Sequence, residues 1–153
     1  MRTASRSAQL IILAIVVSTG IYLYLVRPGG EAPGSATSGW LPDGATGQVV
    51  EAFQARQSGV PVETAGRVER LLSDDREGSR HQRFIVRVDG SMTVLVAHNI
   101  DLAPRVPLAV GDSVELRGEY EWNAQGGVIH WTHDDPDGHH PGGWIRYGDR
   151  MYR

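Results

Sequence analysis

Four of the six histidines lie within eleven residues near the C-terminus, in the sequence HWTHDDPDGHH that starts at His130. Aspartates are interspersed with them, and neutral imidazole together with carboxylate is the ligand set that Zn²⁺, Mn²⁺, Ni²⁺ and Cu²⁺ take in proteins. The spacing predicts a metal site in this stretch, and its cofactor would be a divalent transition metal ion. The predicted ligands are His130, His133, Asp135 and His139.

An alternative interpretation is that the same residues form a polar turn with a solvated, histidine-rich tip. On a strand, His130 and His133 would point to opposite faces, because their positions differ by an odd number. Pro136 and Gly138 favour a loop that returns toward either histidine. The match to the calcium-loop pattern is poor, since Trp144 stands where that pattern places a bidentate glutamate.

A second polar cluster follows the third predicted strand, where His98 continues the inward face and Asn99 and Asp101 come next. Such neighbours orient an imidazole for ligand binding or for work as a general base. The structural alternative is that His98 ends the core and that the other two side chains form a turn. Trp131 and Trp144 flank the histidine-rich stretch and would add an apolar wall beside it. The predicted ligand-binding residues are therefore His98, Asn99, Asp101, Trp131 and Trp144.

The composition excludes several kinds of chemistry. The 153 residues contain no Cys, which excludes disulfides, thiolate nucleophiles and Cys-ligated metals. All 15 basic side chains are Arg, so Schiff-base chemistry and a P-loop lysine are excluded as well. No complete catalytic signature remains, and we assign no catalytic residue. The sequence favours a protein that is not an enzyme.

The charge of the C-terminal region argues against nucleic acid as a partner. From Trp40 to Arg153 there are 12 Arg and 17 acidic residues, a net charge of −5. His81, Arg83 and Arg87 would share one strand face, but cross-strand pairs with glutamates account for such a face. Because a protein that binds the phosphate backbone carries a basic field, we expect no nucleic-acid partner.

The N-terminal region predicts a membrane anchor. Residues 8–26 are free of charge and predominantly apolar, long enough to span nearly all of the ~30 Å hydrocarbon core of a bilayer. Arg2 and Arg6 precede this segment, so residues 1–7 are expected in the cytoplasm. The predicted location is a single pass through the inner membrane, with the C-terminal domain in the periplasm or outside the cell. A cleavable signal peptide is the alternative.

The rest of the chain predicts a linker and one domain. Residues 27–47 are rich in Gly and Pro and form a flexible tether. Residues 48–153 begin with one short helix over 48–58, which Gly59 and Pro61 would end. Period-two alternation then predicts five strands, the fifth over 128–133, with a hairpin turn at Asp89-Gly90 and a closing hairpin over 144–152.

This order of elements gives a mainly β fold: a small OB-like five-stranded barrel with one short N-terminal helix, preceded by a single transmembrane helix. An SH3-like or other small barrel is the alternative. Residues 99–112 contain Pro104 and Pro107, so we expect a turn where such barrels often carry a helix.

Several stretches of the domain resemble an uncharacterised family of short bacterial proteins, a domain of unknown function. The shared landmarks are AHNIDLAPR, GEYEWN and GGVIHWTH, with HQRFIVRV and GGWI beside them. The resemblance covers roughly residues 48–153, and it implies no activity because none is assigned to the family.

Two hypotheses of function follow from these residues. The first is a membrane-anchored binding module outside the cytoplasm, which recognises an envelope protein or a small ligand through the His/Trp-rich C-terminal loop. The alternative is a metal-binding protein or metal-dependent hydrolase that uses the His/Asp cluster at 130–140.

Overall fold

The computed structural model of the protein describes residues 45–153. The predicted membrane segment at 8–26 and nearly all of the predicted linker lie outside the described residues. Within residues 45–153 no helix is long and apolar enough to cross a membrane. The elements in chain order are α1 (Ala45–Gln54), β1 (Val60–Leu71), β2 (His81–Asp89), β3 (Met92–Asn99), β4 (Ser113–Glu121), β5 (Val128–His130), β6 (Trp144–Tyr147) and β7 (Arg150–Tyr152).

The strands form one sheet that closes into a barrel. The sheet order is β1-β2-β3-β5-β4-β6-β7, and an additional antiparallel pairing of β1 with β4 joins the first five strands into a ring. All pairs in the ring are antiparallel except β3 with β5, which is parallel. The prediction of a mainly β domain with a five-stranded barrel and one short helix is therefore confirmed.

The barrel interior contains the alternating apolar positions that the sequence predicts. Every second residue of β2 and β3 is buried, and Gly90 adopts a φ of 40° in the hairpin turn between these strands. The buried apolar side chains of the core include Val62, Val68, Phe84, Val86, Val94, Val96, Val114, Leu116, Tyr120, Ile129 and Ile145. Val49 and Ala52 of α1 pack into the same core, so the helix is attached to the barrel by its apolar face.

The helix begins and ends earlier than predicted. It begins at Ala45 instead of residue 48 and ends at Gln54 instead of residue 58. Arg56 adopts a left-handed φ of 54°, and the N–H of Gln57 donates to the carbonyl of Ala52. These are features of a Schellman-type C-terminus, which closes the helix before Gly59 can act.

The connection between β3 and β4 has no helix, as Pro104 and Pro107 predict. The buried side chain of Gln82 holds this connection, because its amide donates to the carbonyl of Val106 and accepts from the N–H of Val106, at 2.8 and 2.9 Å. One side chain thus replaces a pair of backbone partners at a place where no strand is available.

Candidate functional site

The histidine-rich stretch forms the connection between β5 and β6, which we call the β5–β6 loop (residues 131–143). Both strands lie on the same edge of β4: β5 pairs with Glu119–Glu121, and β6 pairs with Glu115–Arg117. The loop therefore leaves the edge of β4 and returns to it on either side of Gly118. The sequence predicts β5 over 128–133, but the strand ends at His130.

The early end of β5 has a local cause. Trp131 adopts a left-handed φ of 54°, which breaks the extended conformation directly after His130. A β-carbon on Gly143 would lie 1.9 Å from the carbonyl oxygen of Trp131, and one on Gly118 would lie 2.3 Å from that of His130. Two glycines thus let the loop pass close to the sheet. His133 is consequently not a strand residue. The expectation that His130 and His133 point to opposite faces of one strand therefore does not apply.

The tip of the β5–β6 loop is folded around the carboxylate of Asp135. This carboxylate accepts hydrogen bonds from the backbone N–H groups of Asp137, His139 and His140, at 3.0, 2.6 and 2.8 Å. The bond from His140 is the main reason that the pKa of Asp135 is lowered. Asp135 accordingly fixes the backbone of the loop.

The half-buried side chains of Trp131 and His140 pack against each other on the surface of this loop. Their rings stack with centroids 3.9 Å apart at an angle of 18°, and the ring of His133 lies 5.5 Å from the indole on a tilt. A small hollow of about 10 Å³, with room for about one water molecule, lies beside the loop, and its lining includes Pro61, Arg117, Gly118, Glu119, Trp131 and His140. An aromatic wall, a cation and a carboxylate therefore converge on one surface.

A second group of chemistry-bearing side chains lies on the outer face of β4 and β5. Glu119 and His130 are directly opposite each other in the antiparallel ladder, and Glu121 is two residues farther along β4 on the same face. One ligand atom from each of the three lies within 4.8 Å of the other two. In the described part of the chain, this is the one group of three carboxylate or imidazole side chains whose ligand atoms lie close enough together to hold a metal ion.

The side chain of His130 is 27% exposed, between Glu119 at 22% and Glu121 at 42%. Burial lowers the pKa of His130, although Glu119 and Glu121 act in the opposite direction. Its Nε2 atom lies 3.6 Å from Glu119 Oε1 and 3.9 Å from Glu121 Oε1. Nε2 is buried and has no hydrogen-bond partner. The second oxygen of Glu119 lies 3.8 Å from Nδ1 of His140.

The metal ligands predicted from the sequence are divided between the end of β5 and the β5–β6 loop. Only His130 belongs to the converging group. His133 is buried and donates from Nδ1 to the carbonyl of Asp134 at 2.7 Å, Asp135 accepts the loop N–H groups, and the side chain of His139 is exposed. A metal role for His133, Asp135 and His139 stays a prediction.

His98 lies inside the barrel and is fully buried. Its Nε2 is 3.1 Å from the carbonyl of Pro104, and its Nδ1 is 2.8 Å from Oγ1 of Thr132. Because a carbonyl oxygen only accepts, Nε2–H donates to Pro104 and Nδ1 accepts from the hydroxyl of Thr132. Burial lowers the pKa of His98 to about 4, so the imidazole is neutral at pH 7. Its two bonds tie the β3–β4 connection to the β5–β6 loop.

The neighbours of His98 also form internal bonds. Asn99 Oδ1 accepts the N–H of Asp101 at 2.9 Å, which is the turn that the sequence predicts as the structural alternative. Asp101 accepts from the backbone and side chain of Arg80, each at 2.7 Å, and these bonds lower the pKa of Asp101. Ligand binding by His98, Asn99 and Asp101 stays a prediction. Trp144 lies at the start of β6, half-buried, with Arg146 over its ring at 5.4 Å.

A wider cleft of about 570 Å³ lies on another side of the barrel. Its wall is formed by α1, the β2–β3 turn and the β4–β5 turn, with Phe53, Met92 and Gln125 among the lining residues. Asp89 is the one titratable residue that lines it in the described part of the chain. The cleft therefore has room and polar lining side chains, among them Gln54, Ser91 and Gln125, but a single titratable group.

The sequence did not predict the roles of Glu119 and Glu121. Glu119 is one of the glutamates expected to pair with arginines across strands, and Glu121 is expected only on the solvated face of the same strand. The signal that identifies them is the hairpin between β4 and β5, because its register decides which carboxylates lie beside His130.

Comparison with known families agrees with the barrel domain as one evolutionary unit. A sequence model described as "Protein of unknown function (DUF3465)" matches residues 36–153, and the chain belongs to this uncharacterised family. No curated protein matches the chain.

Proposed function

We propose that the protein is a binding module of OB type, anchored in the membrane, which recognises a partner protein or small ligand outside the cytoplasm through the β5–β6 loop. The observation that carries this proposal is the left-handed backbone of Trp131, which holds the indole against the ring of His140. A bulky residue adopts this conformation at a cost of about 1–3 kcal/mol, and such strain is concentrated at functional sites.

The order of the strands supports the OB assignment within the barrel class. The ring closes through β1 with β4, and β5 is inserted between β3 and β4 with a parallel pairing to β3. The OB fold is a five-stranded Greek-key barrel in which the loops between strands take part in ligand binding. The β5–β6 loop and the closing hairpin add a binding surface at the edge of this barrel.

Hydrogen bonds within the β5–β6 loop hold its conformation. The carboxylate of Asp135 orders its tip, and Gly143 N–H donates to the carbonyl of His133 at 2.8 Å where the loop returns. A surface that is ordered in advance loses less conformational entropy on binding. The exposed His139 and the half-exposed pair Trp131 and His140 are then available to a partner.

The charge and the N-terminal segment support the proposed place and partner. A net charge of −5 over residues 40–153 opposes binding to nucleic acid. Residues 8–26 match the length and polarity of a membrane span, and the arginines before them favour a cytoplasmic N-terminus. The binding surface would then face an envelope protein, a saccharide or a small solute.

Site-specific photo-crosslinking tests this function. A photoreactive residue replaces the exposed His139 in the full-length protein, and a second version carries it at the exposed Glu77 in the β1–β2 connection as the matched control. We expect a discrete crosslinked product in membranes from position 139, reduced at least fivefold by Trp131→Ala, and none from position 77. Equal products from both positions, or no product together with no thermal shift across a panel of saccharides and small solutes, would contradict the proposal.

A further inference from the structure

We propose that Glu119, Glu121 and His130 bind one divalent first-row transition metal ion on the outer face of β4 and β5, with His140 at the edge of the site. This inference goes beyond the proposed function, because it assigns a second ligand to the strands rather than to the tip of the loop. It also differs from the ligand set that the sequence predicts, of which it retains only His130.

The spacing of the ligand atoms is close to that of a bound metal. Nε2 of His130 lies 3.6 Å from Glu119 Oε1 and 3.9 Å from Glu121 Oε1. In a tetrahedral site with bonds of about 2.1 Å, neighbouring ligand atoms lie about 3.4 Å apart. All three ligand atoms lie within 4.8 Å of one another, and the two glutamate side chains, 22% and 42% exposed, have the freedom to rotate toward a shared ion.

The environment of His130 is an independent observation that favours a cation. Nε2 is shielded from solvent, has no hydrogen-bond partner and faces two carboxylates. A buried polar atom without a partner in a folded protein calls for an explanation such as an ion. A metal ion between the three side chains would use the Nε2 lone pair and neutralise both carboxylates.

The backbone fixes the positions of the ligands. Glu119 and His130 are Cα partners in the ladder, and Glu121 follows at the next position on the same face. Side chains on strands are positioned more precisely than side chains on loops, because the backbone that carries them is fixed by the hydrogen bonds of the sheet. His140 approaches from the β5–β6 loop, and its Nδ1 lies 3.8 Å from the second oxygen of Glu119.

The donor set selects the class of metal. Imidazole with carboxylate suits Zn²⁺, Mn²⁺, Fe²⁺ and related ions, whereas Ca²⁺ and Mg²⁺ prefer all-oxygen sites. With three firm ligands and one nearby imidazole, the ion would keep a position open to water or to a ligand atom. The competing explanation is an ion pair between a protonated His130 and the two glutamates.

Zinc titration of the full-length protein, stripped of metal and monitored by competition with a chromophoric chelator, tests the inference. We expect one Zn²⁺ per chain, and at least tenfold weaker binding in Glu119→Gln, Glu121→Gln and His130→Gln. His139→Gln is the matched histidine control and Glu63→Gln the matched glutamate control, and both should bind as the unaltered protein does. Co²⁺ should replace Zn²⁺ and give d–d absorption bands that Glu121→Gln removes.

The thermal unfolding midpoint provides a second measurement on each variant. Zn²⁺ should raise the midpoint of the unaltered protein and not that of His130→Gln, since a ligand that binds only the native state stabilises it. Glu121 is the most exposed of the three side chains, so Glu121→Gln keeps the test valid if another variant fails to fold. Absence of Zn²⁺ binding, or binding that Glu121→Gln and His130→Gln leave unchanged, would overturn the inference in favour of the ion pair.

Two further outcomes separate this inference from the proposed function. Loss of Zn²⁺ binding in His139→Gln but not in Glu119→Gln would overturn the strand site and place the ion on the loop. Trp131→Ala should reduce the crosslinked product at least fivefold and retain Zn²⁺ binding within threefold, because Trp131 supplies no ligand atom. If Trp131→Ala instead abolishes Zn²⁺ binding while the folded fraction is unchanged, the three-residue site is wrong.

Discussion

His98 is a fully buried imidazole whose two ring nitrogens are both hydrogen-bonded within the domain. One bond reaches Thr132, at the start of the β5–β6 loop, and the other reaches Pro104 in the β3–β4 connection. A buried polar group that is fully satisfied fixes the segments it touches, because each alternative arrangement leaves an unpaired donor or acceptor. His98 thus positions the backbone beneath Trp131, the residue on which the proposed recognition depends.

The pH dependence of stability should report on His98. Its pKa is about 4 in the folded protein against an ordinary value of 6.5, so the unfolded chain takes up a proton first as the pH falls. The free energy of unfolding should therefore lose up to about 3 kcal/mol from this group between pH 6.5 and pH 4, and nothing above pH 7.

Urea unfolding of the unaltered protein and of His98→Gln over this pH range measures the effect. The variant should be less stable at pH 7 by about 1–2 kcal/mol, and the difference should shrink as the pH falls and change sign before pH 4, because the loss of about 3 kcal/mol from His98 exceeds it. Carboxylates and His130 titrate in both proteins and cancel in the difference. Two parallel curves would show that His98 does not contribute this pH dependence.

The position of the site depends on how β5 and β6 pair with one edge of β4. Its first half pairs with β6 and its second half with β5, so the chain must leave and rejoin the same edge within thirteen residues. Gly118 lies between the two pairings, and Gly143 lies where the loop returns to β4. A β-carbon on Gly143 would be 1.9 Å from the backbone oxygen of Trp131. The loop that carries His133, His139 and His140 therefore passes so close to β4 that only glycine fits at the two points of closest approach.

Replacement of Gly143 should show how tightly the loop is attached. Gly143→Ala places a β-carbon against the backbone oxygens of Trp131 and Arg117, which cannot move as a flexible side chain can. We expect a loss of about 2–3 kcal/mol in the free energy of unfolding. Gly47→Ala in α1 is the matched control, since it meets nothing within 4 Å and should stabilise the helix by up to about 1 kcal/mol. Equal effects of the two substitutions on urea unfolding would disprove the close crossing.

The whole molecule combines a predicted membrane segment with an acidic barrel domain. Residues 8–26 carry no charge, while residues 40–153 carry a net charge of −5. Such an arrangement suits capture of a partner at the membrane surface, where a low-affinity contact gains from a high local concentration.

The mass and location of the mature protein test the anchor. The intact mass should include residues 1–26, and the protein should remain with the membrane fraction after a high-salt wash and move to the soluble fraction when residues 8–26 are deleted. A mature chain that lacks roughly the first 30 residues would establish a cleaved signal peptide instead.

Much of the fold was predictable because alternation along a strand is a local property. Val94, Val96 and His98 show the predicted inward face of β3, and the predicted hairpin turn lies one residue later than expected, at Gly90-Ser91. The end of α1 was not predictable from its stop signals, since the left-handed Arg56 closes the helix before Gly59. The strand length of β5 was also overestimated, because the conformation of Trp131 depends on the space that Gly118 and Gly143 leave.

The sequence by itself determined the residue types available, the alternation that builds a barrel, and the absence of thiol and lysine chemistry. Only the tertiary structure decided which of these residues meet. A shift of one position in the β4–β5 ladder would place Ile129 or Trp131 opposite Glu119 instead of His130, and no local preference of the chain fixes that register. It is set by the packing of Tyr120 and Ile129 in the core, which are Cα partners and both fully buried, so the site follows from the barrel's interior.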